Sequence, residues 1–270
     1  MSIGEDDLSL LTEAALAGGQ LALTFFRRNP NAWSKAGGSP VTEADMAVDT
    51  LLRTTLLAKR PNYGWLSEET ADDPARCACD TIFVVDPIDG TRGFIQGDDR
   101  WCVSLAIVHR GRPTFAALYA PARDELYTAQ AGEGAWLRRE RLRAADRATL
   151  VGASLAGPRG WLKSAIIREG GADIQSHVPS LAYRFASVAS GVSDLAFASP
   201  GAHDWDLAAA DLLVHEAGGR LTDLDGKVPS YNRASTTHGV LAAGNPALQP
   251  KLRAVLADVA HERTKSGLPV

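Results

Sequence analysis

One stretch of sequence decides the fold: Ile82-Phe83-Val84-Val85-Asp86-Pro87-Ile88-Asp89-Gly90-Thr91. Its four leading apolar residues predict a buried strand, and the proline and glycine that follow predict a turn. The two aspartates are therefore expected where a rigid strand opens into a loop. Gly90 and Thr91 then offer backbone N–H groups to an anion, as helix starts and tight turns do. Carboxylates beside an anion site are what metal-assisted phosphate chemistry needs.

The same stretch also fits a simple turn with two solvated aspartates. Asp, Pro and Gly are ordinary turn residues, so this stretch alone leaves both interpretations open. The rest of the chain has to distinguish them.

Composition describes a chain with ample material for a core. It has 270 residues, 45% hydrophobic and 22% charged, which fits one large globular domain or two small ones. The net charge of −4 gives no basic excess, so neither a nucleic-acid polymer nor an anionic membrane is expected as a partner. An acidic chain that acts on an anionic substrate needs a metal ion to neutralise the site.

Cysteine usage and hydropathy predict a cytoplasmic protein. Cys77, Cys79 and Cys102 form no CxxC pair, so we expect free thiols in a reducing compartment. No apolar run approaches transmembrane length, and the acidic residues 2–7 are unlike a signal peptide.

The N-terminal half, residues 1–145, is expected to combine two helices with an antiparallel meander. Apolar spacing predicts helices over residues 8–27 and from Thr42 onward, with Thr42 as the N-cap and Asp45 three residues later. Residues 35–40 between them are expected to form a flexible loop. Short connections separate the strand-like runs at 65–66, 82–85, 103–108, 114–120, 126–129 and 135–138.

The C-terminal half, residues 146–270, alternates short strands with helices, which predicts a layered α/β arrangement. The predicted strands cover residues 150–153, 174–178, 194–198 and 240–243. The predicted helices cover residues 160–168, 181–189, 207–217 and 247–260.

Four acidic positions lie at predicted strand ends and helix starts. They are Asp45, Glu68-Glu69, Asp86 with Asp89, and Asp206. Each has an ordinary explanation: Asp206 suits an N-cap, Asp45 complements a helix dipole, and Glu68-Glu69 fits a surface turn. A cleft between the two halves would gather all of them into one site.

The chain resembles the inositol monophosphatase superfamily, the Mg²⁺-dependent, lithium-sensitive phosphatases. Its motifs stand in order: Pro40-Val41-Thr42-Glu43-Ala44-Asp45, Leu66-Ser67-Glu68-Glu69, Asp86-Pro87-Ile88-Asp89-Gly90-Thr91 with Phe94, and Trp205-Asp206-Leu207-Ala208-Ala209 with Glu216-Ala217-Gly218-Gly219. The resemblance covers nearly the whole chain. It implies an α/β fold, a layered α-β-α-β-α sandwich with an antiparallel sheet in the N-terminal half and a smaller mixed sheet in the C-terminal half.

The resemblance also implies two metal sites. Glu68, Asp86 and the Ile88 carbonyl would hold one Mg²⁺, and Asp86, Asp89 and Asp206 a second, with Glu68 helping to hold a third, weaker ion. Magnesium prefers such hard oxygen ligands, and two ions roughly 3.5–4 Å apart suit an in-line displacement at phosphorus. Mn²⁺ would substitute, whereas Li⁺ and Ca²⁺ would inhibit.

Catalytic and binding roles follow from the same resemblance. Thr91 and Asp45 would orient and deprotonate the attacking water, with Glu68 assisting. The residues expected to contact the substrate or its phosphate are Asp89, Gly90, Thr91, Asp206, Ser180 and Arg184.

Two other hydrolase classes fit the sequence poorly. Phosphatases with a D-x-D motif use the first aspartate as nucleophile, but Asp86 and Asp89 are one residue further apart. No G-x-S-x-G motif of a serine hydrolase is present. A non-catalytic binding protein on a phosphatase fold stays as a remote alternative.

The substrate is the least determined part. Inositol-specific members usually carry a glutamate seven residues before the aspartate of the W-D motif, where this chain has Ser199. The segments at 39–42, 66–69 and 180–181 look more like the 3′(2′),5′-bisphosphate nucleotidase branch. Arg92 and Arg184 are candidate contacts for a second phosphate, because guanidinium binds phosphate bidentately.

We therefore expect a small phosphate ester as the substrate, with adenosine 3′,5′-bisphosphate converted to AMP as the leading reaction. Inositol 1-phosphate or another sugar phosphate is the alternative. The resemblance also implies a homodimer.

Overall fold

The computed structural model describes residues 6–35 and 38–267. The α-helices of this part are α1 (Asp7–Leu23), α2 (Glu43–Lys59), α3 (Thr91–Ile95), α4 (Ala165–Glu169), α5 (Leu181–Ala189), α6 (Asp204–Glu216) and α7 (Gln249–Lys265). The first nine strands are β1 (Ala32–Ser34), β2 (Pro40–Thr42), β3 (Gly64–Ser67), β4 (Thr81–Asp89), β5 (Cys102–His109), β6 (Arg112–Ala120), β7 (Glu125–Gln130), β8 (Gly134–Leu137) and β9 (Glu140–Arg141). The later strands are β10 (Ser154–Ala156), β11 (Asp173–Ile174), β12 (Leu195–Ala198), β13 (Ala202–His203), β14 (Arg220–Asp223), β15 (Thr237–His238) and β16 (Leu241–Gly244).

Helices and sheets alternate in five layers. The pair α1 and α2 covers one face of a seven-stranded sheet, and α5 and α6 lie between this sheet and a five-stranded one. The pair α4 and α7 covers the far face of the smaller sheet. The α-β-α-β-α sandwich expected from the sequence is confirmed.

Strand order separates the two sheets along the chain. The larger sheet runs in sequence order from β3 to β9, and all its pairs are antiparallel except β3 with β4. The smaller sheet has the order β11-β10-β12-β16-β14 and mixes parallel with antiparallel pairs. The predicted antiparallel and mixed sheets are thus present, with β3 as a parallel edge strand.

Strand β4 is buried on both faces, which explains its continuous apolar run. Phe83 and Val85 pack against α1 and α2, whereas Ile82 and Val84 face the layer of α5 and α6. Burial of each such side chain contributes about 1.5–3 kcal/mol. The aspartates at the end of β4 are therefore carried by one of the most firmly held strands of the fold.

Several element boundaries differ from the predictions. Helix α1 ends at Leu23 rather than at residue 27, because residues 24–27 form a turn in which Arg27 has φ of 59°. Helix α4 is shorter than predicted, and β10 and β11 are displaced from the predicted runs at 150–153 and 174–178. Both strands are only two or three residues long, too short for an alternating pattern to locate them.

Some predictions concern residues that the structure does not describe. Residues 2–5 of the acidic start, residues 36 and 37 of the predicted flexible loop, and residues 268–270 lie outside the described part. The predicted division at residue 145 falls between β9 and β10, and it stays a prediction. No helix in residues 6–35 or 38–267 is long and apolar enough to span a bilayer.

Candidate active site

Strand β4 carries two acidic residues at its C-terminal end. The prediction that the strand opens into a loop after Val85 is wrong. The strand continues to Asp89, with a shift of register between Asp86 and Asp89. Such an irregularity accommodates Pro87, which has no N–H for the ladder. The Ile88 N–H donates to Asp86 Oδ1 at 3.0 Å and closes the distorted segment.

Asp206 joins these two aspartates from the N-terminus of α6. The helix begins at Asp204, three residues earlier than predicted, so Asp206 is the third helical residue rather than the N-cap. Its Oδ2 accepts the His203 N–H at 2.6 Å, which fixes the carboxylate at the helix start. Oxygen atoms of Asp86, Asp89 and Asp206 all lie within 4.8 Å of one another.

Asp86 and Asp89 are buried and Asp206 is partly buried, and this burial opposes the ionisation of all three. Burial first, and then the charges of Glu68, Asp89 and Asp206, raise the pKa of Asp86 well above its usual range. Burial, followed by the charge of Asp89, likewise raises the pKa of Asp206. Burial raises the pKa of Asp89 to about 6, although hydrogen bonds from α5 lower it. Clustered hard oxygen donors with this unfavourable charge fit a divalent cation.

Asp89 also connects the acidic cluster to α5. Its Oδ2 accepts the hydroxyl of Ser180, and also the Ala182 N–H at 2.6 Å. Ser180 is fully buried and caps α5 by accepting the Tyr183 N–H. The predicted substrate contact Ser180 is therefore bonded to a predicted metal ligand in this structure.

Glu68 faces the same space but has a cationic partner. It lines a cavity with Asp86, Asp89 and Asp206, and its Oε1 accepts the Lys35 ammonium at 2.9 Å. Lys35 also reaches Glu69 Oε1 at 2.7 Å, while burial raises the pKa of Glu69 to about 7. The sequence interpretation missed Lys35, because only the β1–β2 hairpin brings it to these acids.

Thr91 lines the same cavity as Glu68, Asp86 and Asp89, and its hydroxyl meets Asp45. The Thr91 hydroxyl lies 3.1 Å from Asp45 Oδ1 and 3.1 Å from the Ile88 carbonyl. Asp45 Oδ2 accepts the N–H and hydroxyl of Thr42, which completes the predicted capping box of α2. Burial raises the pKa of Asp45. This pair has the geometry of a hydroxyl oriented by a carboxylate with raised basicity.

Gly90 makes the close approach of these elements feasible. It has φ of 96°, and a Cβ atom there would come within 3.1 Å of Ser180 at the start of α5. Only glycine combines this backbone conformation with so little space. The predicted phosphate contacts Gly90 and Thr91 thus lie at the junction of β4, α3 and α5.

A pocket of about 460 Å³ opens beside Asp89 and Asp206, and three arginines supply positive charge to its lining. The basic residues of the lining are Arg92, Arg159, His177 and Arg184. Asp89 and Asp206 are the only acids among the described residues that line it. The sequence interpretation identified Arg92 and Arg184 but missed Arg159 and His177, which no motif marks.

Arg184 differs from the other basic residues of the lining because it is buried. It is 5% exposed, and its guanidinium donates to the carbonyls of Val178 at 2.8 Å and Phe197 at 3.3 Å. Burial lowers the pKa of Arg184 to about 10, against the opposing effect of Asp89. In the described part of the chain, Arg184 Nε and His177 Nδ1 are among the few buried polar atoms without a hydrogen-bond partner. Burial, and then the charges of neighbouring arginines, lower the pKa of His177, so the positive charge here belongs to arginine. Buried positive charge with a spare donor suits an anionic ligand.

Comparison with known proteins identifies one protein family. The model of the inositol monophosphatase family matches residues 5–262. The inositol-1-monophosphatase of Mesorhizobium japonicum is 33% identical over 91% of this chain and 94% of its own length. The histidinol-phosphatase of Mycobacterium tuberculosis is 36% identical over 75% of this chain and 82% of its own length.

A solved structure agrees with the layered fold. The IMPase of Thermotoga maritima superposes with a TM-score of 0.84 at 27% identity, and the match covers 95% of this chain and 99% of that one. Sequence, fold and acidic cluster therefore lead to the same conclusion: this chain is a phosphatase that belongs to the inositol monophosphatase family.

Proposed function

We propose that this phosphatase hydrolyses a small phosphate monoester whose leaving group carries a second anionic group, with adenosine 3′,5′-bisphosphate as the leading candidate. The observation that carries the proposal is the cationic pocket beside the acidic cluster, with Arg184 buried in its wall.

In this proposal, five residues hold the divalent cations that the family requires, with Mg²⁺ as the physiological ion. They are Glu68, Asp86, Asp89, Asp206 and, through its carbonyl, Ile88. Bound cations of this kind acidify a coordinated water and neutralise charge on the phosphate. The donor set fits them because its oxygens are hard and its buried charges lack compensation. Mn²⁺ substitutes, while Li⁺ and Ca²⁺ inhibit.

The protein groups then orient the reactants. The Thr91 hydroxyl, held by Asp45, positions the attacking water, and Asp45 accepts its proton with assistance from Glu68. The amides of Gly90 and Thr91 hold the phosphate to be cleaved. The hydrogen bond from Ser180 to Asp89 holds the start of α5 beside this site. The pocket therefore lies next to the phosphate ester that is cleaved.

Charge in the pocket separates the candidate leaving groups. A second phosphate gains charge-assisted hydrogen bonds from Arg92, Arg159, His177 or Arg184. The amine of histidinol phosphate meets the arginines and is repelled. The hydroxyls of the neutral inositol ring would not find the glutamate that usually accepts their hydrogen bonds, because Ser199 occupies that position in the lining.

A substrate panel tests the proposal. The purified protein with Mg²⁺ is assayed for phosphate release from adenosine 3′,5′-bisphosphate, inositol 1-phosphate, fructose 1,6-bisphosphate and L-histidinol phosphate. We expect the highest kcat/KM for a bisphosphate. A clear preference for inositol 1-phosphate or histidinol phosphate would overturn the substrate assignment, and no turnover of any ester would favour a binding protein.

Pocket variants give the panel a charge-specific control. Arg159→Met and His177→Leu each remove one donor and should lower kcat/KM for the bisphosphate by about 10- to 100-fold, the usual worth of a charge-assisted hydrogen bond. They should leave p-nitrophenyl phosphate hydrolysis within about twofold, because that ester has no second anion. Arg110→Met, an exposed arginine paired with Asp80, is the matched control. Equal losses for both esters would argue against a second anion site.

Hydrolysis of inositol 1-phosphate is the second candidate, and the similarity to the inositol-1-monophosphatase of Mesorhizobium japonicum favours it. We further propose a homodimer, as the resemblance implies. Size-exclusion chromatography with light scattering at micromolar concentration checks it, and a monomer of 28.6 kDa would contradict it.

A further inference from the structure

Helix α2 carries a second buried carboxylate, one turn after Asp45. Asp49 is 5% exposed and follows Asp45 by four residues, so both side chains lie on the same side of the helix. Asp49 belongs to neither the acidic cluster nor the lining of the two cavities beside it. A buried carboxylate is costly unless it is well bonded, so its partners indicate what it is for.

Both oxygens of Asp49 accept hydroxyl groups from one short segment. The Ser67 hydroxyl donates to Oδ1 at 2.5 Å, and the Thr70 hydroxyl donates to Oδ2 at 2.7 Å. These two residues flank Glu68 and Glu69. Asp49 therefore accepts a hydrogen bond from each end of the acidic turn.

Other bonds complete the attachment of this turn. The Glu69 N–H donates to Ser67 Oγ at 3.3 Å, and the Trp65 indole donates to Thr70 Oγ1 at 3.2 Å. The Glu68 N–H donates to the Val85 carbonyl of β4 at 3.2 Å. With Asp49 in place, each residue of the turn from Ser67 to Thr70 has a defined partner.

We propose that Asp49 is a positioning residue that orients the turn of residues 67–70, so that Glu68 faces the cation site. This inference rests on the proposed function, in which Glu68 is a cation ligand. Helix α2 then sets two groups at once: Asp45 beside Thr91, and Glu68 through Asp49. Groups that hold a metal ligand in place typically change metal affinity by about 10- to 100-fold when they are removed.

The test measures cation binding to the substrate-free, full-length protein. Mn²⁺ binding is followed by electron paramagnetic resonance and by calorimetry for wild type, Asp49→Asn and Ser67→Ala. We expect each variant to weaken the cation site that uses Glu68 by about tenfold, while the site of Asp86, Asp89 and Asp206 keeps its affinity. Asp49→Asn offers one acceptor oxygen instead of two, so it loses one of the two accepted hydroxyl bonds, and the double variant should bind the cation no better than either single variant.

A matched control separates positioning from simple loss of stability. Asp211 is also buried and accepts a hydroxyl, from Tyr231 at 3.0 Å, but its partners do not adjoin Glu68. Asp211→Asn should shift the melting temperature in chelator without changing the Mn²⁺ isotherm. If Asp49→Asn behaves in the same way, the positioning role is wrong.

Two further outcomes are informative. If Asp49→Asn does not fold, Ser67→Ala and Thr70→Val carry the same test, and unchanged isotherms for both would overturn the inference. Half-saturating Mg²⁺ for activity should rise in the variants while kcat at saturating Mg²⁺ stays within about threefold. If wild type itself binds no divalent cation, the proposed function fails, which is distinct from failure of the Asp49 assignment.

Discussion

Asp89 presents its two carboxylate oxygens to different surroundings. Oδ2 accepts the Ser180 hydroxyl and the Ala182 N–H, and an oxygen of the same group lies within reach of Asp86 and Asp206. An asparagine with its carbonyl oxygen in the Oδ2 position keeps both bonds to α5. Its NH₂ group then replaces the other oxygen, and an amide nitrogen does not bind a divalent cation.

Asp89→Asn should therefore lose turnover by roughly 10²- to 10³-fold, the scale on which one preorganised charge acts. The fold should persist. Burial raises the pKa of Asp89 to about 6, against about 3.9 in an unfolded chain, so the ionised group opposes folding increasingly from about pH 4 to pH 6 and fully above that. Without metal at pH 8, the variant should melt at the same temperature as wild type or higher.

Phosphate release and thermal melts in chelator measure the two effects. Wild-type turnover would remove Asp89 from the metal ligands, and a lower melting temperature in chelator would contradict the burial argument.

At the scale of elements, the junction of β4 with α3 depends on the space that α5 leaves. Gly90 and Gly132 both have positive φ, but a Cβ at Gly90 meets Ser180 at 3.1 Å, whereas nothing lies within 4 Å of one at Gly132. A substitution at Gly132 therefore measures the cost of backbone strain alone, whereas one at Gly90 measures strain and lack of space together.

Gly132→Ala should cost about 1 kcal/mol of unfolding free energy, since only the backbone conformation is affected. Gly90→Ala should cost about 1–3 kcal/mol more, because α5 has to move, and it should lose activity as well. Urea denaturation and phosphate release measure both variants. Equal destabilisation of the two would show that Ser180 does not crowd Gly90.

Elements whose signals are local could be predicted from the sequence. The capping box of α2, the run of β4 and the bounds of α5 agree with the predictions, because each depends on neighbouring residues. The start of α6 was missed because its N-cap is His203, a residue rarely used there. The extension of β4 past Pro87 depends on β5, which a single strand pattern does not reveal.

The same distinction holds for the site. Asp86, Asp89 and Asp206 belong to recognisable motifs, and they do converge. Lys35, Arg159 and His177 reach the site only through tertiary packing, so no spacing in the sequence identifies them.

At the scale of the whole molecule, the layers bring acids from separate elements to one buried place. Strand β4 supplies two aspartates from the large sheet, and α6 supplies the third from the layer between the sheets. Their raised pKa values mean that folding concentrates negative charge at a cost in stability. A cation that binds only the folded state offsets this cost.

Divalent cations should therefore stabilise the protein more at pH 8 than at pH 5. Protons compete for the carboxylates at pH 5, below the pKa of about 6 for Asp89, whereas at pH 8 that group is ionised. A cation at one hundred times its Kd adds about 2.7 kcal/mol. Melting temperatures with Mg²⁺, Mn²⁺ or chelator at both pH values measure the gain. If the gain in melting temperature is equal at both pH values, the cation does not bind to these carboxylates.

The pocket has one more consequence. Arg159 and His177 stand on segments that supply no acid to the hydrolytic centre, whereas that centre takes its residues from α2, the turn after β3, β4, α3 and α6. Natural selection, or an engineer, can thus exchange the lining at residues 158–159, 177 and 199 without rebuilding the apparatus that splits the ester. Such a division of labour lets one scaffold acquire new specificities by small steps.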